Sequence, residues 1–228
     1  MLQWYNIPNM DIYHALNRGV DKRTLFIDTQ DYARFVHDMF EFNTDKPAVH
    51  TNRNSMVDIV GRPSPGNKIV ELHGWCLMSN HYHLLLGKLI EGGLSLFLRK
   101  LNVGYAKYFN ERYKRSGTLF QGRTKKILID RDAYMLHILN YIHFNPLDIS
   151  KTSQDWRSRS IPNSNEALLL LDNYRWSSYL DYCGKKNFPS ILTTSLFQDI
   201  FQNDYKAQVQ RYLSDIGTSD VHSLKLEG

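Results

Sequence analysis

Two pairs of side chains in this sequence have the types and spacing to do chemistry. His81 and His83 flank Tyr82 in the run SNHYHLLL. Alternate residues of a strand share a face, so the two imidazoles project side by side and can grip one cation, with Tyr82 on the opposite face. Tyr141 and Asn145 stand four apart in NYIHFNP. Residues i and i+4 of a helix are neighbours, so a phenol and a carboxamide are paired there. If that helix packs beside the histidine strand, the Asn145 amide oxygen completes a site of two nitrogens and one oxygen, with positions left for water and phosphate oxygens. Tyr141 then stands next to the cation. Each half also has an ordinary structural explanation. Two strand-borne histidines suit any half-exposed sheet, and Tyr141 is one of fourteen tyrosines that can pack a ring at a helix interface. His73, His137 and His143 are alternative third ligands, His73 because it lies on the adjacent strand.

The elements that must position these residues follow from periodicity and punctuation. Residues 12–20 carry β-compatible side chains and read as a first strand. DTQDYARFVHDMFEF supplies an N-cap candidate at Asp28 or Thr29, then helical apolar spacing. Residues 43–67 are rich in Asn, Pro, Gly and Ser and read as a long loop or insertion. KIVELHGWCLM and HYHLLLGKL are β-rich runs separated by Ser79-Asn80, the spacing of a tight hairpin. GGLSLFLRKLNVGYAKYFNERYKRSG has apolar residues at helical intervals with Gly117 as a stop, and TLFQGRTKKILI alternates as a fourth strand. RDAYMLHILNYIHFN reads as a helix ended by Pro146. The order β-α-β-β-α-β and then a helix predicts an α+β, ferredoxin-like sandwich, with helices covering one face of an antiparallel sheet. Residues 1–150 form the expected catalytic domain. Residues 151–228 form a polar linker and a mostly helical extension.

Three stretches in order, SNHYHLLL, YAKYFNERYKRSGTLFQGR and YMLHILNYIHFNPL, resemble the tyrosine transposases of the HUH superfamily, in particular the REP-associated branch. The resemblance covers residues 11–150, and NYRWSSYLDYCG resembles a segment that follows the catalytic domain in longer members. It implies that His81, His83 and Asn145 bind a divalent cation and that Tyr141 is the nucleophile. It implies cleavage and rejoining of single-stranded DNA at hairpin-bearing, palindromic sites. Attack by Tyr141 would leave a 5′-phosphotyrosine and a free 3′-hydroxyl, and a second strand's 3′-hydroxyl would reverse the step. The bond energy is conserved, which agrees with the lack of a G-x-x-x-x-G-K-[ST] loop or dinucleotide fingerprint. Oxygen ligands from water and phosphate suit Mg2+ or Mn2+, although zinc would bind the histidines well. Members of the family often carry Pro where this chain has Ser79, and an aliphatic residue where it has Tyr82.

The charge distribution agrees with a polyanionic partner. The net charge is +5 and the pI near 9.1, and between Lys88 and Lys126 ten Lys or Arg stand against two acids, Glu91 and Glu111. Phe97, Tyr105, Tyr108, Phe109, Tyr113 and Phe120 are threaded through that segment, a mixture of phosphate contacts and stacking faces that suits single-stranded nucleic acid. The plainer reading is a solvated basic helix whose aromatics face the core. Candidate DNA-binding residues are Arg18, Arg99, Lys107, Arg112, Lys114, Arg115, Arg123, Lys125 and Lys126.

Cys76 and Cys183 sit in no C-x-x-C pattern, which argues against a disulfide framework or a zinc knuckle. The N-terminal MLQWYNIPNM lacks the layout of a signal peptide, and no apolar run approaches membrane-spanning length. The expected setting is cytoplasmic, as a monomer or homodimer with no membrane partner. Two rivals remain at this level. One is a non-catalytic nucleic-acid binder, which lacks the R-G-F-x-F signature of RNA-recognition domains. The other is a metal-dependent nuclease that hydrolyses with water and uses Tyr141 only structurally.

Overall fold

Four strands, β1 (Ile12–Arg18), β2 (Val70–Met78), β3 (His81–Lys88) and β4 (Lys125–Leu128), form one sheet in the order β2-β3-β1-β4. Every neighbouring pair is antiparallel. Helices α1 (Thr29–Glu41) and α2 (Gly93–Arg112) connect them as β1-α1-β2-β3-α2-β4, the ferredoxin-like arrangement expected from the element order. The computed structural model describes residues 10–47, 66–130, 132–158 and 160–215. The N-terminal run of residues 1–9 and most of the expected loop at 43–67 lie outside them.

Local chemistry explains the boundaries. Ser79-Asn80 is the whole loop between β2 and β3. β1 stops at Arg18 rather than residue 20, because the chain turns through Asp21 and Lys22 at φ 54° and 58°. The fourth strand is shorter than the alternating run: Gly122 at φ 74° interrupts it, and Phe120 keeps only an isolated bridge to Gly19. Asp28 caps α1 by accepting from the backbone N–H groups of Gln30 and Asp31. From the end of α2, Arg112 donates to Asp28 and to the buried Asp31, at 2.6 Å each. That hydrogen bond holds the Asp28 carboxyl below its usual range.

The sheet is covered on both faces. α1 and α2 pack on one side, against Ala15, Trp75, Leu77, Tyr82, Leu84 and Leu86. Four of the aromatics threaded through the basic segment, Phe97, Tyr105, Phe109 and Phe120, are buried in this core. Tyr108 and Tyr113 donate their hydroxyls to Asp31. The expectation of a stacking platform for bases is therefore corrected: apolar rings on an amphipathic helix gain more by facing the core than by facing water.

Helix α3 (Asp132–Phe144) lies on the opposite face, beyond the reach of the helix layer that the element order suggested. It approaches β2 so closely that a Cβ at Gly74 would meet Leu139 Cδ1 at 2.6 Å. Pro146 ends it as expected, with a 3-10 turn at Asn145–Ile149. Helices α4 (Ser164–Asn173), α5 (Tyr179–Tyr182), α6 (Ser195–Ile200) and α7 (Tyr205–Asp215) complete the second core, which combines Ile12, Cys76 and Leu85 of the sheet with Ile138, Leu139 and Ile142 of α3. Residues 174–178 run along β2: the Leu77 N–H donates to Trp176 O at 2.9 Å and the Ser178 N–H to Trp75 O at 3.0 Å. An otherwise open sheet edge is thereby covered.

Candidate active site

β3 presents His81 and His83 on the α3 face, and Tyr82 on the other, where its hydroxyl donates to Asn102 Oδ1 at 2.8 Å. Burial pushes the Tyr82 phenol up to about 12. The two imidazole centroids are 5.0 Å apart, with ring planes at 85°. α3 brings Tyr141 against this pair: its ring lies edge-on to His83, with centroids 5.9 Å apart. A strand and a helix separated by about sixty residues of sequence thus meet at one point.

A third histidine completes the cluster and escaped the sequence reading. His14 of β1 is fully buried, stacks on His83 at 5.1 Å and lies 5.8 Å from Tyr141, edge to face. Its Nε2 is 2.9 Å from His83 Nδ1. The available signal was β1's alternation, which puts His14 and Leu16 on one face. What the sequence withheld was the register pairing Leu16 with His83.

His83 Nε2 is buried and has no hydrogen-bond partner among the described residues. A proton there would be a buried unsatisfied donor, which costs roughly 1–3 kcal/mol. A cation at Nε2 would remove that cost and leave the proton on Nδ1, donated across the 2.9 Å contact to His14 Nε2. Burial first, then His14, His81, Arg157 and Arg18, push the His83 pKa far down, so the ring is neutral at pH 7. His81 Nδ1 lies 2.6 Å from Asn80 Oδ1, to which it donates. An imidazole whose Nδ1 is anchored presents Nε2 to a metal, so the pair fits a divalent cation.

Asn145 is fully buried at the first position of the 3-10 turn, and its side chain is engaged. Its amide nitrogen donates to Tyr141 O at 2.8 Å, and its oxygen accepts from Arg157 Nη2 at 2.9 Å. No group of three or more His, Cys, Asp or Glu is arranged to hold a metal among the described residues.

The alternative third ligands are placed as follows. A β-bulge between Leu72 and Gly74 sets His73 beside Gly87, four residues along β3 from His83 and roughly 13 Å away at strand rise. His73 therefore cannot share an ion with the pair. His143 is a satisfied core histidine, 2.8 Å from Tyr205 Oη and 2.7 Å from Ser178 Oγ, with burial pushing its pKa down to about 3. His137 is half-buried one turn before Tyr141.

The nine candidate DNA-binding residues separate by face. Arg18 pairs in register with His81, and Lys125 with Leu16, so both belong to the face of the histidine pair. Lys126 points the other way and donates to Ser95 Oγ at 3.0 Å. Arg99, Lys107, Lys114 and Arg123 are exposed. Arg112 is committed to Asp28 and Asp31, and Arg115 donates to Asn110 Oδ1 and Thr118 O. Arg157 was absent from the set. It lies 5.5 Å over the Tyr141 ring, in a segment the sequence marked only as polar linker.

No family model and no curated protein matches this chain. Among solved structures it is similar to a REP-associated tyrosine transposase bound to a REP hairpin, at 14% sequence identity and a TM-score of 0.47. The match covers 86% of this chain and 93% of that one. No helix among the described residues is long and apolar enough to cross a membrane.

Proposed function

We propose that this chain cleaves and rejoins single-stranded DNA at hairpin-bearing sites, with Tyr141 as the nucleophile and His81 and His83 as the holders of Mg2+ or Mn2+. The observation that carries the reading is the contact of the Tyr141 ring with His83. A bound divalent cation would supply Lewis-acid stabilisation of charge on the scissile phosphate. The Tyr141 oxygen attacks phosphorus, a P–O bond to tyrosine forms, and the P–O3′ bond breaks. The 3′-oxygen leaves with the bonding pair and gains a proton, while the phenol gives one up. His14, in contact with His83 Nδ1, orients the ring so that Nε2 would face the cation. Arg18 and Lys125, on the same face, supply positive charge for flanking phosphates. The carboxamide of Asn145 is the proposed third ligand once its oxygen is released by Arg157. Hairpin DNA as partner follows from the resemblance carried by the three ordered stretches.

Product ends separate this reading from hydrolysis. With an end-labelled hairpin oligonucleotide and manganese, the expected result is one free fragment with a 3′-hydroxyl and the other retained on the protein. Two free fragments would favour the hydrolytic nuclease. Binding without cleavage would favour the non-catalytic binder.

A further inference from the structure

We propose that Arg157 is a catalytic residue that grips the scissile phosphate opposite Arg18, so that the segment after α3 completes the site rather than merely following it. The proposal deepens the strand-cleavage reading and rests on it. The Arg157 guanidinium lies 5.5 Å from the centroid of Tyr141 and 4.2 Å from that of Trp156. Its Nη1 is ion-paired with Asp148, and Trp156 Nε1 donates to the same carboxylate oxygen at 2.7 Å. Asp148 and Trp156 therefore fix the plane of the guanidinium, while its side chain keeps 38% exposure.

Position and charge point to phosphate. In-line attack brings phosphorus to about 3–3.5 Å from the phenol oxygen, which sets the non-bridging oxygens within range of a cation lying over the same ring. A guanidinium fork matches two phosphate oxygens and stays charged. Arg18 reaches the site from the end of β1, beside His81. Both arginines act electrostatically on the buried His83, so positive charge flanks the Tyr141–His83 contact from the sheet and from the C-terminal segment.

The present partner of Nη2 gives the arrangement a second consequence. Nη2 donates to Asn145 Oδ1. A phosphate oxygen is the stronger acceptor, so substrate arrival would draw Nη2 away and free the amide oxygen proposed as the third ligand. Arg157 loses no proton in the step; the bonds made and broken remain P–Oη and P–O3′.

The test uses the full chain, a hairpin-bearing single-stranded oligonucleotide and Mn2+, comparing wild type with Arg157→Gln and Arg157→Lys. The expected result is a rate of covalent adduct formation reduced roughly 10²–10³-fold by Gln and partly restored by Lys. Manganese affinity measured by calorimetry without DNA should be unchanged or tighter, because Asn145 no longer has a competing partner. An adduct rate within about threefold of wild type in Arg157→Gln overturns the proposal. So does a rate loss accompanied by weaker manganese binding, which would make Arg157 a structural prop. If wild type itself forms no adduct, the strand-cleavage reading fails first, and this proposal with it.

Discussion

A buried imidazole is useful as a ligand only if its ring is held in one orientation, and His14 is the residue in contact with the far nitrogen of His83. The His14–His83 contact at 2.9 Å fixes the ring so that Nε2 is the nitrogen left for another partner. Replacing His14 by Leu should weaken manganese binding by roughly 10–100-fold, the usual effect of losing a partner that orients a ligating histidine. Titration calorimetry on the folded variant reads this directly, and an unchanged affinity would remove His14 from the account. The pair His81 and His83 was legible in the sequence because strand periodicity alone puts them on one face. His14 and Arg157 were not. His14 depends on cross-strand register, and Arg157 depends on a loop folding back over the preceding helix.

The element that brings the site together is α3, and its seat on the sheet depends on a missing side chain. With Leu139 Cδ1 only 2.6 Å from where a Cβ would stand, Gly74→Val must push α3 off β2 or distort it. Overpacking of this kind costs about 1–3 kcal/mol, and Tyr141 would move with the helix. The expected outcome is a lower melting temperature together with slower adduct formation. Normal stability in Gly74→Val would mean that α3 is not so tightly seated. On the other face, Asp28→Ala removes both the α1 cap and an anchor of Arg112, and should cost about 1–2 kcal/mol in urea unfolding. The cap, the two-residue hairpin and the element order were all readable, because each is written in local residue types. The face that α3 covers was not, since a helix beyond the βαββαβ unit can lie on either side of the sheet.

At the scale of the whole molecule, the second core draws its residues from both sides of residue 150. A chain ending there would leave Ile12, Cys76, Leu85, Ile138, Leu139 and Ile142 without their C-terminal cover, and it should aggregate more readily than the full chain. His143, bonded to Ser178 and Tyr205, ties α3 to that cover. Burial pushes its pKa from 6.5 to about 3, so below pH 6.5 the unfolded chain takes up a proton that the folded chain refuses. This contribution to stability is complete above pH 6.5 and falls by about 1.4 kcal/mol per pH unit as the pH drops toward 3. Unfolding free energies at pH 7 and pH 5 should show the decline, and equal values would contradict a buried neutral His143. The long-range ties between α3, the β2 edge and α7 were invisible in the sequence, where residues 150–165 read only as a polar stretch.

The central claim, that Tyr141 becomes covalently joined to DNA, is tested most directly by the denatured mass of the protein after incubation with a hairpin-bearing oligonucleotide and manganese. The account predicts a wild-type species heavier by one DNA fragment, and no such species for Tyr141→Phe. An adduct that persists in Tyr141→Phe, or strand cleavage that continues in that variant with no adduct at all, would contradict it.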